Sequence, residues 1–283
     1  MDRHSAADRR SRRAAILLPG FLLFVLAGGV AVQAQEGDGE NRLGGDYLNR
    51  FGRDFKVVIT APSRWDGGDL LTLAAISGTG LVLMAFDEDI QDNVQGRRTE
   101  SSDNAAAFFT IFGNGAALLG LSTAVYVAGE IRHDDGLRKT ALLSVESLAT
   151  ASLLVWTIKV LAGRARPYTG EPSSSYHPFT LESSYWSFPS GHAAAAFSVA
   201  TTIALQTRGV LVDIAAYGLA ALAGFARIHD DKHWASDAFI GSALGYFVAR
   251  KIVDLNRPGE KSSVSLDFEC LGGRQVLALN IAF

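Results

Sequence analysis

The stretch from Lys139 to Pro167, KTALLSVESLATASLLVWTIKVLAGRARP, sets the character of the chain. As far as Ala162 it is apolar, and it is long enough for the roughly 20 residues that a helix needs to cross a bilayer. It closes on three cations, Lys159, Arg164 and Arg166, followed by Pro167. Five further apolar stretches surround it, at about 69–86, 104–129, 191–207, 209–227 and 236–252, of which 191–207 and 236–252 are short for a crossing. Gly78, Gly80, Gly113, Gly115, Gly120 and the run Ala193–Ala196 supply the small side chains that close helix packing in lipid requires. The pattern predicts an all-α, membrane-embedded bundle of about six apolar helices over residues 69–255. A soluble helical bundle is the alternative, because mean hydropathy is only slightly positive.

Composition narrows the function classes. Charged residues make up 19% of the chain, below the usual figure of about 25%. A net charge of −3 with no long basic stripe argues against a nucleic-acid partner. The single cysteine, Cys270, cannot close an intramolecular disulfide, and no Cys/His cluster suggests a structural zinc.

Both ends differ from the middle. Arg3, Arg9, Arg10, Arg12 and Arg13 precede an apolar run from Ala14 to Val32, and Ala34 offers a cleavage site. Residues 1–34 therefore read as a signal peptide, with an uncleaved signal anchor as the alternative. Residues 35–68 form a polar lead-in, extended or short-helical, whose Phe55–Ile59 run is expected against the membrane surface. In the tail, Val264, Leu266, Phe268 and Cys270 alternate with polar residues, and Leu277, Leu279, Ile281 and Phe283 alternate again after Gly272-Gly273. That period of two predicts a β-hairpin appendage over 263–283.

Three polar segments interrupt the apolar background: Lys159 to Pro167, then Phe188-Pro189-Ser190-Gly191-His192, then Arg227 to Asp237. In an up-and-down bundle all three fall on one face. Arg side chains with planar forks of donors suit a dianionic phosphate. Ser190 is placed as an N-cap, and the amides at that helix start point outward toward an anion. His233 and Asp237 are four residues apart, so on a helix the carboxylate reaches the imidazole and fixes its tautomer.

The pattern K-x6-RP, PSGH, R-x5-H-x3-D resembles the signature of the type 2 phosphatidic acid phosphatase (PAP2) and vanadium haloperoxidase superfamily, in its bacterial lipid-phosphatase branch. All ten specified residues are present between Lys159 and Asp237, with one departure, Ala226 where Ser commonly precedes the Arg. The resemblance implies a metal-independent phosphatase without cofactor, acting on a phosphomonoester or diphosphate of a lipid. It implies that His233 is the nucleophile, held by Asp237. Lys159, Arg166, Arg227, Ser190 and Gly191 would bind the phosphoryl oxygens, and His192 would serve as acid and then base. A vanadium-dependent haloperoxidase and a non-catalytic lipid-phosphate-binding membrane protein are the alternatives.

Outside the motif, Arg164 reads as a surface or headgroup contact, His177 and His229 as pocket-rim or structural, and Asp230, Asp231 and Lys232 as a solvated turn. Glu146 and Asp213 stand out as charges inside apolar stretches. The segment Tyr168–Trp186 is expected to cover the site or to form an interfacial belt. Arg132, Arg138, Lys139, Arg250, Lys251, Arg257 and Lys261 lie on the side opposite the motifs, which the positive-inside rule assigns to the cytoplasm. The motifs then face the periplasm from the inner membrane, or belong to a peripheral periplasmic bundle. A cleaved signal followed by six crossings would invert this arrangement.

Overall fold

A computed structural model describes residues 41–207, 209–257, 264–271 and 274–281. The targeting segment 1–34 lies outside the described residues, as does the start of the lead-in. Among the described residues there are nine α-helices: α1 (Gly45–Ile59), α2 (Gly67–Ala85), α3 (Asp87–Gly96), α4 (Glu100–Phe109), α5 (Gly115–Arg132), α6 (Asp135–Ala162), α7 (Gly191–Thr207), α8 (Val210–His229) and α9 (Ala235–Leu255). Two strands follow, β1 (Val264–Leu271) and β2 (Arg274–Ile281), paired antiparallel with Val264 opposite Ile281 and Leu271 opposite Arg274. The hairpin expected from the alternation is thus present.

The lead-in takes the short-helical form of the two expected, and two further details differ from the sequence reading. As α1 the lead-in docks on the bundle. Tyr47 donates its hydroxyl to the Leu142 carbonyl at 3.2 Å, and Val58 packs with Leu143, Ala151, Val248 and Ile252, while Ile59 is exposed. The region after α2 forms a short polar helix, α3, where no element was expected. The stretch 104–129 is not one helix: α4 and α5 meet at a bend of 57°. Asn114 starts α5 as its N-cap, accepting from the Ala117 amide at 3.0 Å. The bend falls at Gly113, where a side chain would come within 2.8 Å of the His192 carbonyl.

The interior is built from small residues. Ala193–Ala196, Ser198, Ala200, Thr201, Thr202, Ala216, Ala220 and Ala223 are buried. α9 crosses α7 so closely that a β-carbon at Gly241 would collide with the Ser190 carbonyl, and one at Gly245 with the Ala194 carbonyl. Large apolar side chains are divided: Leu142, Leu143 and Ile252 are buried, whereas Leu71, Leu81, Ile131, Trp156, Leu211, Ile214 and Phe225 are exposed. Small residues at close helix contacts with large apolar ones on the outer surface suit lipid as the solvent, where packing between helices drives their association. α2, α6 and α8 are each long and apolar enough to cross a bilayer, and the bent α4–α5 pair adds a fourth candidate. The protein is a membrane protein of the helical-bundle class.

Chain direction gathers chemistry at one end. The C-termini of α6 and α8 and the N-termini of α7 and α9 lie together there, with α3 and α4 alongside.

Candidate active site

His233 sits in the short connection between α8 and α9, where its amide and that of Lys232 both donate to the Arg227 carbonyl at 3.2 and 3.0 Å. The imidazole is buried, 3% exposed. Its Nδ1 lies 3.8 Å from Asp237 Oδ2 and has no hydrogen-bond partner in the protein. The expected i,i+4 pair is therefore in register but longer than a hydrogen bond. Burial, and then the charge of Lys159, push His233 down to about 3, against the opposing pull of Asp237, so the ring is neutral near pH 7.

Asp237 is fully buried in the first turn of α9. Its Oδ2 accepts from the Trp234 amide at 3.0 Å and from the Ser187 hydroxyl at 2.5 Å, and its Oδ1 accepts from Arg164 Nη1 at 2.6 Å. Burial alone would raise its pKa, but the contacts with His233 and Arg164 hold it below the ordinary range.

Across from this pair, Ser190 caps α7, its Oγ accepting from the Ala193 amide at 3.4 Å as the N-cap reading requires. Its own amide donates to the Asp237 carbonyl at 2.9 Å, which ties the two helix starts together. The start of α7 follows a cis Phe188–Pro189 bond. Gly191 borders Lys159 Cε. His192 follows, partly buried. Burial, then the charges of Arg227, Lys159 and Arg166, depress His192 to about 4. The charges of Lys159, Arg166 and Arg227 thus all act on the His192 ring.

Each cation is held differently. Lys159 donates to the carbonyls of Trp186 and Ser187 at 2.6 and 3.2 Å. Arg227 pairs with Asp230 at 3.0 Å through Nη1, while its Nε is buried without a partner. Arg166 Nε is likewise buried without a partner, and its guanidinium lies 6.0 Å from the Tyr168 ring. Two buried donors without protein acceptors fit a site for an oxyanion. Among the described residues, no group of three or more His, Cys, Asp or Glu could hold a metal ion.

The connecting segment is tied down by its backbone. It folds back on residues 163–166, with Ala165 donating to Ser175, His177 to Gly163 and Ser187 to Arg164, all through the backbone at 2.7–3.0 Å. Gly163 has a φ of +62° and is crowded by the His177 carbonyl, so that turn requires glycine. His177 pairs with Glu171 at 3.0 Å, and His229 contacts Ser102 at 3.0 Å, which fits their structural reading.

Two expectations need correction. Asp230 and Asp231 are not a solvated turn. Asp230 engages Arg227, and Asp231 accepts from Gln91 of α3 and, through its carbonyl, from the Tyr168 amide. Lys232 lies 4.3 Å from the Tyr168 ring centre. Arg164 is not a surface contact. It is 1% exposed and joins Asp237 to Asp87 at the start of α3. The sequence held one clue to Arg164, its place two residues before the motif arginine. For Asp87 it held none, because the pairing spans separate elements.

Residues 140–257, less than half of the chain, match the family model described as the PAP2 superfamily. A curated relative, the lipid A 1-phosphatase of Porphyromonas gingivalis, is 42% identical over 64 residues, which is 22% of this chain but only 14% of that protein. Two solved structures share the fold. Aquifex aeolicus LpxE has a TM-score of 0.50 at 19% identity, covering 60% of this chain and 95% of its own. A transmembrane PAP2-type phosphatidylglycerolphosphate phosphatase from Bacillus subtilis has a TM-score of 0.51 at 23% identity, covering 65% and 94%.

Proposed function

We propose that this protein is a phosphatase of the PAP2 type that removes phosphate from a lipid through a phosphohistidine on His233. One observation carries the reading: a buried His233, held beside Asp237 at 3.8 Å, lies in the field of Lys159 and Arg166, and the same two cations with Arg227 act on His192 at the start of α7, in a bundle with exposed apolar side chains. The relatives named above as a lipid A 1-phosphatase and a phosphatidylglycerolphosphate phosphatase point to the same substrate class.

Nε2 of His233, the nitrogen turned away from Asp237, attacks phosphorus as the ester P–O bond breaks. Lys159, Arg166, Arg227, Ser190 and the Gly191 amide hold the phosphoryl oxygens, and most of the rate comes from stabilising charge on the moving group. His192 gives the leaving oxygen a proton. It is depressed to about 4 by burial and three cations, so the arriving phosphate dianion must offset those charges for it to be protonated. His192 then takes a proton from the water that hydrolyses the phosphohistidine.

The test is phosphate release from lipid phosphates in detergent with EDTA present. Activity is expected to persist, since every assigned ligand is a side chain or backbone amide, and vanadate is expected to inhibit as a mimic of five-coordinate phosphorus. Activity that is lost on chelation and restored by magnesium, or that is untouched by millimolar vanadate, sinks the proposal.

By the positive-inside rule we assign the site face to the periplasm. A cysteine placed at the exposed Ser174, in the segment beside the site, is expected to react with an impermeant thiol reagent in intact cells. Labelling only after lysis reverses the orientation.

A further inference from the structure

Two buried charges, Asp87 and Arg164, have no part in the reaction described so far, and Asp87 lies outside the segment matched to the superfamily. The Asp87 carboxylate accepts from Arg164 Nη2 at 2.8 Å, from the Ser236 amide at 2.9 Å and from the Ser236 hydroxyl at 2.5 Å. The other end of the guanidinium, Nη1, donates to Asp237 Oδ1 at 2.6 Å and to Ser236 Oγ at 2.8 Å. Nε donates to the Ser173 carbonyl at 2.8 Å. The Tyr176 and Trp234 rings lie 5.8 and 5.7 Å from the guanidinium carbon. Every arm of Arg164 is thus committed, and its charge is divided between two carboxylates, one of which faces the His233 ring.

We propose that Asp87 and Arg164 are positioning residues that set how much of the Asp237 negative charge reaches His233. The proposal rests on the reading of His233 as nucleophile. In the intact network Asp87 draws part of the Arg164 field away from Asp237. Without the Asp87 charge, Arg164 acts on Asp237 alone, and the positive charge that His233 gains on phosphorylation is less well stabilised. Without Arg164, Asp237 turns its full charge on the ring. The other charged or titratable groups acting on the His233–Asp237 pair are Lys159 from α6, Arg166 from the segment after it and Tyr176 from the connecting loop. Those groups are unchanged in the variants below.

The two single variants have opposite electrostatic signs, which a merely structural role does not produce. In Asp87→Asn the acid limb of kcat/KM is expected to move to lower pH, on the order of one unit, with kcat down about 10–100-fold and KM little changed. In Arg164→Met the limb is expected to move to higher pH. The double variant Asp87→Asn/Arg164→Met, which removes one charge of each sign, should bring the limb back toward that of the unaltered protein. If Arg164→Met does not fold, the comparison of Asp87→Asn with the double variant decides alone. Ring-nitrogen shifts of His233 in histidine-labelled protein, assigned through His233→Gln, read the same effect without turnover. Limbs and ring shifts that move in opposite directions support the proposal. Movement in one direction, or none, overturns it. Failure of the phosphatase reading registers separately, as absence of phosphohistidine in the unaltered protein.

Discussion

The N-termini of α7 and α9 lie side by side, yet they are finished in opposite ways. At α9 the helix start is filled by the protein's own anions: Asp237 accepts from the Trp234 amide and Asp87 from the Ser236 amide, with Arg164 balancing the two. At α7 no acidic residue stands in the first turn. Only the Ser190 hydroxyl caps it, and the nearby charges are cations. A helix N-terminus attracts negative charge in either case. Where the chain supplies that charge, the terminus is already paired beside His233. Where it supplies cations instead, the terminus suits an anion from outside the chain, as the proposed function requires. In the proposed mechanism this difference puts the nucleophile on the α9 side and phosphate binding on the α7 side.

The sharpest way to break this comparison is to remove one histidine from each side. His233→Ala is expected to abolish the phosphoenzyme and lower turnover on the order of 10⁴-fold or more with every substrate. His192→Ala is expected to cost about 10²–10⁴-fold on a lipid alkoxide leaving group. It should cost less on p-nitrophenyl phosphate, whose leaving group needs little protonation, and phosphohistidine should accumulate because hydrolysis is slowed too. Acid-quenched labelling with radiolabelled substrate reads both. An adduct that persists in His233→Ala would reverse the assignment of the two sides.

A smaller effect is expected at the seam between the termini. Gly241→Ala drives a methyl into the Ser190 carbonyl. Overpacking of this kind typically costs about 1–3 kcal/mol, and the displaced Ser190 should raise KM. Gly218→Ala, on a helix face with open space around it, is the control and should leave thermal unfolding in detergent unchanged.

The smallest effect is on stability against pH. His233 and His192, at about 3 and about 4, lie below the ordinary 6.5, so the unfolded chain binds their protons first. Their contribution is complete above about pH 6.5 and is lost as pH falls toward the folded values. His233→Gln should therefore show a flatter unfolding temperature between pH 6.5 and 4 than the unaltered protein. An equal slope in both would mean that the ring is not buried neutral.

The sequence alone determined the class of the fold and the inventory of the motif. Apolar stretches separated by small residues define helices for lipid, and the period of two marks the C-terminal hairpin, because these are local patterns repeated along the backbone. The spacing of His233 and Asp237, and the cap at Ser190, were legible for the same reason. Tertiary structure alone decided the break at Gly113, which answers to the backbone of His192 on another helix, and the docking of α1 on α6 and α9. It also decided the place of Arg164, which local pattern makes one more cation at a helix end. Its burial depends on Asp87, 77 residues away in sequence, and on the loop that folds back beneath Trp234. A buried ion pair is specified by two partners that meet only when the helices pack, so no window along the chain contains it.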